Sequence, residues 1–473
     1  MLKSATKNLL GWAEPEKGKN IMTNDTAALN AAKEKLKSAG IEFIQVEVTE
    51  LDGAQRGKLV TLDKGLGGDV GFSSVLFGLT TADDVWESPF TSFENGFLDY
   101  FARPQAETVR VLPWRDATAS VICDFYDADG AMTPECPRTA LHRAADKAAE
   151  MDFETRFAVE YEVFVFHADA DMLAAGRGNE MRPLSRTWNA YSLLRLTELR
   201  ELFVEFMRRM AAIGAPLDST HSEIGHGAVE FAIGYAPAMD AADHAMRAKT
   251  YLKELCNERG LSATFMAKLD MAQPGAGGHV HQSLWRDGES VFWQDGAVSD
   301  VARHYAGGQL ALMPELTALS MPNINSYRRM QWEHWVPENA SWGEDNRSAA
   351  LRLITLPKPS AVRFENRVPG ADANAYLSIA WMLASGLHGI ENEIEPPHIC
   401  EGNAYEDARY PRLPHSLQDA TQALKASSFA REAFGERFVD HYVLSREEEL
   451  RLWDEWQRGQ VSAWEYKRYF ETI

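Results

Sequence analysis

The sequence predicts an α+β fold in two parts, and three observations carry the prediction. The 473 residues are 45 % hydrophobic and 25 % charged, the balance of a chain built around packed cores, and they are too many for a single core. Up to about Pro137 the chain offers short alternating runs bounded by turn residues, as strands do. From Arg138 onward, helical runs of 3.6-residue period alternate with strand-like runs.

In order along the chain, residues 1–24 read as a tail. Their apolar patch is short and no cleavage site follows, so a signal peptide is not expected; Met22 offers a second start. Residues 25–39 read as a helix ending at Gly40, 41–48 as a strand, LDGAQRG as a turn and 58–62 as the returning strand. Further strands are expected at 108–112 and 119–125, the latter closed by DADG. This sets an N-terminal domain at 25–137 and a larger domain at 138–473. In the larger domain helices are expected at 138–151, 193–213 and 241–259. Strands are expected at 157–166, 228–233, 261–267, 280–285, 349–356 and 361–368. Residues 376–390 are apolar on most sides and should form a buried helix. From Leu413 the chain reads as helical, and its last charged segment as a packed amphipathic helix.

A net charge of −21, from 48 basic and 69 acidic residues, argues against nucleic acid or an anionic membrane as partner and leaves cations and amines as suitable ligands. No window carries the roughly 20 apolar residues of a membrane-spanning helix. Cys123, Cys136, Cys256 and Cys400 lack metal-type spacing, which points to free thiols and a cytoplasmic location.

The chemistry concentrates on the strands of the second part. VEYEV puts Glu160 and Glu162 two apart, on one side of an apolar strand. HSEIGHGAVEF carries Glu223 and Glu230 around a Gly-rich bend, and RFENR sets Glu365 between Arg363 and Arg367. After a PGAGG loop, His279, His281 and Ser283 alternate onto one face. Inward carboxylates on apolar strands repel one another unless a cation lies between them. Five Glu and one His suit Mg²⁺ or Mn²⁺. Arg329, Arg347, Arg352, Arg363 and Arg367 accompany them, the residue type that grips carboxylate and phosphate bidentately. Taken singly, each feature reads as a solvated strand face or a surface ion pair of little worth. Together they point to phosphoryl transfer. No P-loop and no dinucleotide-binding glycine motif is present.

The motif order E-x-E, E-x6-E, K…G-x-G-x-H-x-H-x-S, NSYRR, NRSAALR, RFENRVPGADANAYL and a W-E-x3-Y tail resembles the glutamine synthetase family from about residue 25 to the C-terminus. It looks closest to the branch that makes γ-glutamyl amides of organic amines, such as γ-glutamylpolyamine, γ-glutamylanilide and γ-glutamylalkylamide synthetases. The resemblance implies an N-terminal β-grasp domain and a catalytic domain whose strands form a funnel. It also implies sites between neighbouring subunits of a dodecamer of two stacked rings, with loop 51–58 of one chain in the next chain's site. The implied substrates are ATP, L-glutamate and an amine, with two or more divalent ions per site. Glu162, Glu223 and Glu230 would hold the metal near the γ-carboxylate; Glu160, His279 and Glu365 would hold the one on the nucleotide phosphates. Arg347, Arg352 and Arg363 match phosphate-side arginines, and His281 and Ser283 lie by the nucleotide. Gly275, Arg329 and Arg367 match the glutamate-binding set.

Departures from the family pattern bear on the amine. Ammonia-using members carry a Glu on the loop after the SYKR motif, and counting from Arg329 that position is Trp335; one residue of misalignment would bring Glu333 nearer the role. An indole cannot act as a base, but it can wall an apolar pocket or stack on an amine. Glu50 stands where ammonia users have an ammonium-binding Asp, while Tyr191 matches the tyrosine of that site. Ala228, Pro274 and Ala375 replace other usual residues. The reading that follows is ligation of glutamate to an alkyl or aryl monoamine such as isopropylamine or aniline, a step in amine catabolism. The alternatives are a polyamine or ethanolamine as the amine, a glutamine synthetase using ammonia, a guanidino-kinase-type phosphotransferase, and a catalytically silent structural homologue.

Overall fold

In a computed structural model of the chain, residues 22–185, 187–331, 335–355 and 358–471 are described. Most of the expected tail, and Glu333, lie outside them. Helix α1 (Met22–Ser38) precedes strands β1 (Phe43–Thr49) and β2 (Gln55–Thr61), helix α2 (Leu62–Leu66), and strands β3 (Val70–Ser73), β4 (Asp99–Pro104), β5 (Arg110–Val111) and β6 (Thr118–Tyr126). These strands lie in the order β2-β1-β6-β4-β3, with β5 also on β6. At the centre β1 and β6 run parallel, Val46 opposite Val121. Ile44, Val46, Val121, Cys123 and Phe125 are all buried there, as central parallel strands require.

The larger sheet contains β7 (Glu154–His167), β8 (Leu217–Ser222), β9 (Ala228–Ile233), β10 (Leu261–Thr264), β11 (Gly278–Arg286) and β12 (Glu289–Ser290). The small hairpin of β13 (Trp293–Gln294) and β14 (Ala297–Val298) stands apart, and β15 (Trp342–Glu344), β16 (Leu351–Ile354) and β17 (Arg363–Asn366) complete the sheet. The order is β15-β16-β17-β11-β7-β9-β8, with β10 on β7 and β12 on β11. Helices α3 (Pro137–Glu150), α4 (Ala170–Ala174), α5 (Leu193–Ala212), α6 (Ala238–Glu258), α7 (Asp300–Leu316) and α8 (Ala375–Glu391) surround it. The chain ends in α9 (Leu417–Ala426), α10 (Ser428–Phe434), α11 (Glu436–Arg458) and α12 (Ala463–Tyr469). The α+β class is as the sequence predicts.

Strand β7 organises this part. Its alternation buries Phe157, Val159, Tyr161 and Val163, and the Lys249 ammonium of α6 lies 5.6 Å from the Tyr161 ring. Glu160 and Glu162 therefore project to the opposite face. Helix α8 is buried along most of its length, as expected. Two buried arginines tie the sheets together. Arg247 of α6 donates to Glu47 Oε2 of β1 at 2.7 Å. Arg138 of α3 donates to Asp124 Oδ1 of β6 at 2.6 Å and pairs with Asp243 of α6.

The structure departs from the sequence reading in places. Strands β3, β4 and β8 and helix α7 stand where no element is expected. The amphipathic tail is not one packed helix. Phe438, Val439, Tyr442 and Val443 of α11 are buried, but Gly459 closes that helix and α12 buries nothing.

Candidate active site

Strand register places the functional side chains in rows. Glu160 faces His279 across β7 and β11. Glu162 faces Glu230 across β7 and β9, and Glu230 faces His221 across β9 and β8. Glu365 faces His281 on one side and Arg352 on the other. All of these residues except His221 line a cavity of about 930 Å³.

Two carboxylate–imidazole clusters bring their carboxylates to this cavity. In the first, His279 Nδ1 lies 3.3 Å from Glu160 Oε1 and 3.5 Å from Glu365 Oε1. Ligand atoms of Glu160, His281 and Glu365 also come within 4.8 Å of one another. Both imidazoles thus reach the Glu160–Glu365 pair, where the resemblance gives only His279 that role. Burial works to raise the Glu160 carboxyl, but the hydrogen bonds and charge of His279 and His281 outweigh it and hold it below the usual carboxylate range. Burial likewise opposes, and Arg367, His279 and His281 outweigh, at Glu365, whose pKa falls to about 2. Arg352 Nη1 and Arg367 Nη1 donate to its two oxygens at 2.9 and 2.6 Å.

In the second cluster His221, Glu223 and Glu230 offer ligand atoms within 4.8 Å of one another, with His221 Nε2 2.9 Å from Glu230 Oε1. Burial raises the pKa of Glu223 and of Glu230, and neighbouring carboxylates add to it. Glu162, beside them, accepts from the Gly277 backbone N–H at 2.5 Å. Glu223 and Glu230, pushed toward protonation by burial and by the nearby Glu160 and Glu162 charges, with ligand atoms in chelating reach, fit a divalent cation.

The wall beyond Gly277 is built for an anion. Arg329 is buried and donates through Nη1 to Val368 O at 3.0 Å. Gly275 makes room for it, because a Cβ there would lie 2.7 Å from Arg329 Cγ. Arg329 Nε and Arg367 Nε are buried without a hydrogen-bond partner. Such orphan charged donors are costly unless a ligand meets them.

On the other side, Arg363 Nε donates to His281 Nδ1 at 3.2 Å and Trp285 Nε1 to Ser283 Oγ at 2.9 Å. The Arg156 guanidinium lies 3.6 Å from the Trp285 ring centroid, with Tyr235 close by. This end offers flat, partly apolar surface beside cationic groups. Arg347 is exposed and also lines the cavity.

At the mouth stand Tyr191 and Trp335, 71 % and 51 % exposed. Both have left-handed backbone, φ 57° and 73°, which bulky residues adopt only where the surroundings hold them. Tyr191 packs against His221 with ring centroids 4.5 Å apart and the planes tilted by 35°. Ile224, Pro274 and Val336 line the same region.

Every residue expected at the site lines this cavity except Glu50. Glu50 is 3 % exposed and accepts from the backbone N–H groups of Asp52 and Ala54 at 2.7 and 2.6 Å. Burial, then the Asp52 charge, raises its pKa to about 8. Within its own chain the Glu50 carboxyl caps its own turn. Sequence reasoning missed His221, Arg156, Trp285 and Tyr235. Only His221 carried a usable signal, lying two residues before Glu223.

Comparison with known proteins agrees with this geometry. A family model described as glutamine synthetase, catalytic domain, matches residues 134–469. Over 452 residues the chain is 35 % identical to glutamate–isopropylamine ligase from Pseudomonas sp, covering 93 % of this chain and 97 % of that one. Over 458 residues it is 35 % identical to type-1 glutamine synthetase 2 from Dictyostelium discoideum, covering 93 % and 85 %. A solved structure of a GmaS/ADP complex superposes with a TM-score of 0.80 at 27 % identity, covering 93 % of this chain and 99 % of that one.

Proposed function

The chain belongs to the glutamine synthetase family of ATP-dependent glutamate–amine ligases, and we propose that its amine is an alkyl or aryl monoamine of the isopropylamine or aniline type. The observation that carries this reading is Trp335 at the cavity mouth, on the loop where an ammonia user would place an acid. With Tyr191 and Ile224 it offers apolar and aromatic surface to the substituent of an amine.

Amide formation from a carboxylate needs activation, because the carboxylate is too electron-rich for amine attack. In this reading the γ-carboxylate of glutamate attacks the γ-phosphorus of ATP, the bond to the bridging oxygen breaks, and ADP leaves. The amine nitrogen then attacks the carbonyl carbon of the γ-glutamyl phosphate, phosphate departs, and the nitrogen loses a proton. Arg329 and Arg367 supply donors for the glutamate carboxylate. Arg347, Arg352 and Arg363 neutralise phosphate oxygens as charge shifts onto them. His281 and Ser283 flank the nucleotide, and Trp285, Arg156 and Tyr235 give its base a flat surface. Glu162, Glu223 and Glu230, and separately Glu160, His279 and Glu365, are the proposed holders of Mg²⁺ or Mn²⁺, which when bound would screen the crowded oxygens.

We assign loop 51–58 to the site of a neighbouring subunit in a ring-based dodecamer. The exclusion of Glu50 from the cavity of its own chain and the exposed face of β2 support this. Four buried free cysteines suit a reducing, cytoplasmic setting. Ammonia as the amine is a second reading, favoured by equal identity to the Dictyostelium glutamine synthetase. ADP release with glutamate and ATP, on addition of isopropylamine or of ammonia alone, tests the proposal, with the product identified by mass. A γ-glutamyl isopropylamide supports it; turnover with ammonia alone supports the second reading instead.

A further inference from the structure

Behind the larger sheet, three buried carboxamides are bonded to one another. They belong to Gln282 of β11, Gln309 of α7 and Asn366 of β17. Gln309 Nε2 donates to Gln282 Oε1 at 2.8 Å. Gln309 Oε1 accepts from Gln282 Nε2 at 3.2 Å and from Asn366 Nδ2 at 3.3 Å. The Tyr305 hydroxyl also donates to Gln282 Oε1, at 2.8 Å, and the Val368 backbone N–H donates to Asn366 Oδ1 at 3.1 Å. Every amide oxygen and nitrogen of the three side chains is thus met, beside the packed rings of Phe292, Tyr305 and Phe364. Apolar side chains would pack such a core as well. What directional bonds add is a fixed position for the groups they join.

We propose that Gln309 is a positioning residue for the cluster of Glu160, His279 and Glu365, which it serves by pinning β17 to β11. Those three side chains come from three strands that are held unequally. The ladder of β7 and β11 runs from Gly278 opposite Tyr161 to Trp285 opposite Glu154, and it sets Glu160 against His279 by itself. Strand β17 is four residues long and meets β11 over the short stretch Val280–Gln282. Its other neighbour, β16, is as short. A slip of one residue would send Glu365 to the opposite face, and so short a strand has few ladder bonds to resist it. Asn366 directly follows Glu365, and Gln309 ties it to Gln282, which stands between His281 and Ser283. The network therefore holds Glu365 in line with His279 from behind. This inference rests on the reading that the cluster holds a divalent ion.

Calorimetric titration of the metal-free, full-length enzyme with Mn²⁺ tests it, comparing the parent with Gln309→Met, which keeps the side-chain length and removes the bonds. Thermal midpoints are recorded alongside. His279→Ala identifies the Mn²⁺ that this cluster holds. That same class of binding should weaken about tenfold in Gln309→Met. The Mn²⁺ held by Glu162, Glu223 and Glu230 should stay within about twofold of its parent affinity, because the network does not join their strands. In a His279→Ala background the Gln309 substitution should have no further effect. Asn366→Ala, which cuts the same link from β17, should give the same selective loss and stands in if Gln309→Met does not fold. Equal weakening of both classes with a lowered thermal midpoint would overturn the proposal. So would unchanged binding in Gln309→Met beside a loss in His279→Ala, an outcome that leaves the cation site standing. Mn²⁺ binding that His279→Ala leaves intact would instead remove the cation reading of the cluster, and the role of Gln309 with it.

Discussion

Glu160 and His279 stand opposite each other on adjacent antiparallel strands, with His279 Nδ1 3.3 Å from Glu160 Oε1. One register contact thus fixes the centre of a proposed cation site, and Glu365 closes it from the next strand. Replacing His279 by Ala should weaken Mn²⁺ binding on the order of 10- to 100-fold, as read by calorimetric titration of metal-free enzyme. Unchanged Mn²⁺ affinity would remove His279 from the ligand set.

Gly275 and Arg329 are in contact that no side chain on Gly275 would allow. A Cβ there meets Arg329 Cγ at 2.7 Å and Ala267 O at 2.8 Å, and the backbone contact cannot yield cheaply. Gly275→Ala should displace the guanidinium and raise KM for glutamate about tenfold or more, with KM for ATP little changed. An equal loss for both substrates in initial-rate measurements would mean that the glycine serves the fold and not the glutamate end.

At the mouth, a carboxylate in place of the indole should reverse the amine preference. Trp335→Glu is expected to lower kcat/KM for isopropylamine about tenfold and to raise the use of ammonia, because the new group can hold and deprotonate a small cation. Equal preference in parent and variant would take Trp335 out of the specificity argument.

Much of the site was legible in the sequence because strand alternation is a strong constraint. VEYEV and RFENR could face their acids only one way once their apolar partners were buried, and register brought them together. Other parts had no signal for the element that carries them. His221 lies in LDSTHS, which has no apolar alternation; it forms β8 only because β9 offers a partner. Helix α7 carries Gly307, Gly308 and Pro314, which argue against a helix by propensity. Packing overrides that: a Cβ on Gly308 would lie 2.1 Å from Ser385 O of α8, so the glycine is what lets the two backbones meet. That Glu50 caps its own turn is a matter of side-chain direction, which spacing does not encode.

Stability should fall in mild acid because of His441. Its Nε2 lies 2.8 Å from Phe77 O, and burial lowers its pKa to about 4 despite that bond, with Arg437 and Arg446 adding to the effect. The unfolded chain, with an ordinary pKa near 6.5, takes up the proton first. The contribution is whole above about pH 6.5 and is lost as pH falls toward 4, on the order of 3 kcal/mol at full extent. Denaturant midpoints of the parent and of His441→Gln, compared between pH 7 and 4.5, should converge as the pH drops. Parallel pH profiles would assign the acid sensitivity elsewhere.

The most direct measurement of the central claim is a competition in one reaction. Enzyme, ATP and glutamate are supplied with isopropylamine and ammonia together, and the two amide products are counted by mass over time. The ratio of products, corrected for concentration, is the ratio of kcat/KM values. A site walled by Trp335 and Tyr191 predicts γ-glutamyl isopropylamide in excess. Glutamine as the main product would contradict it.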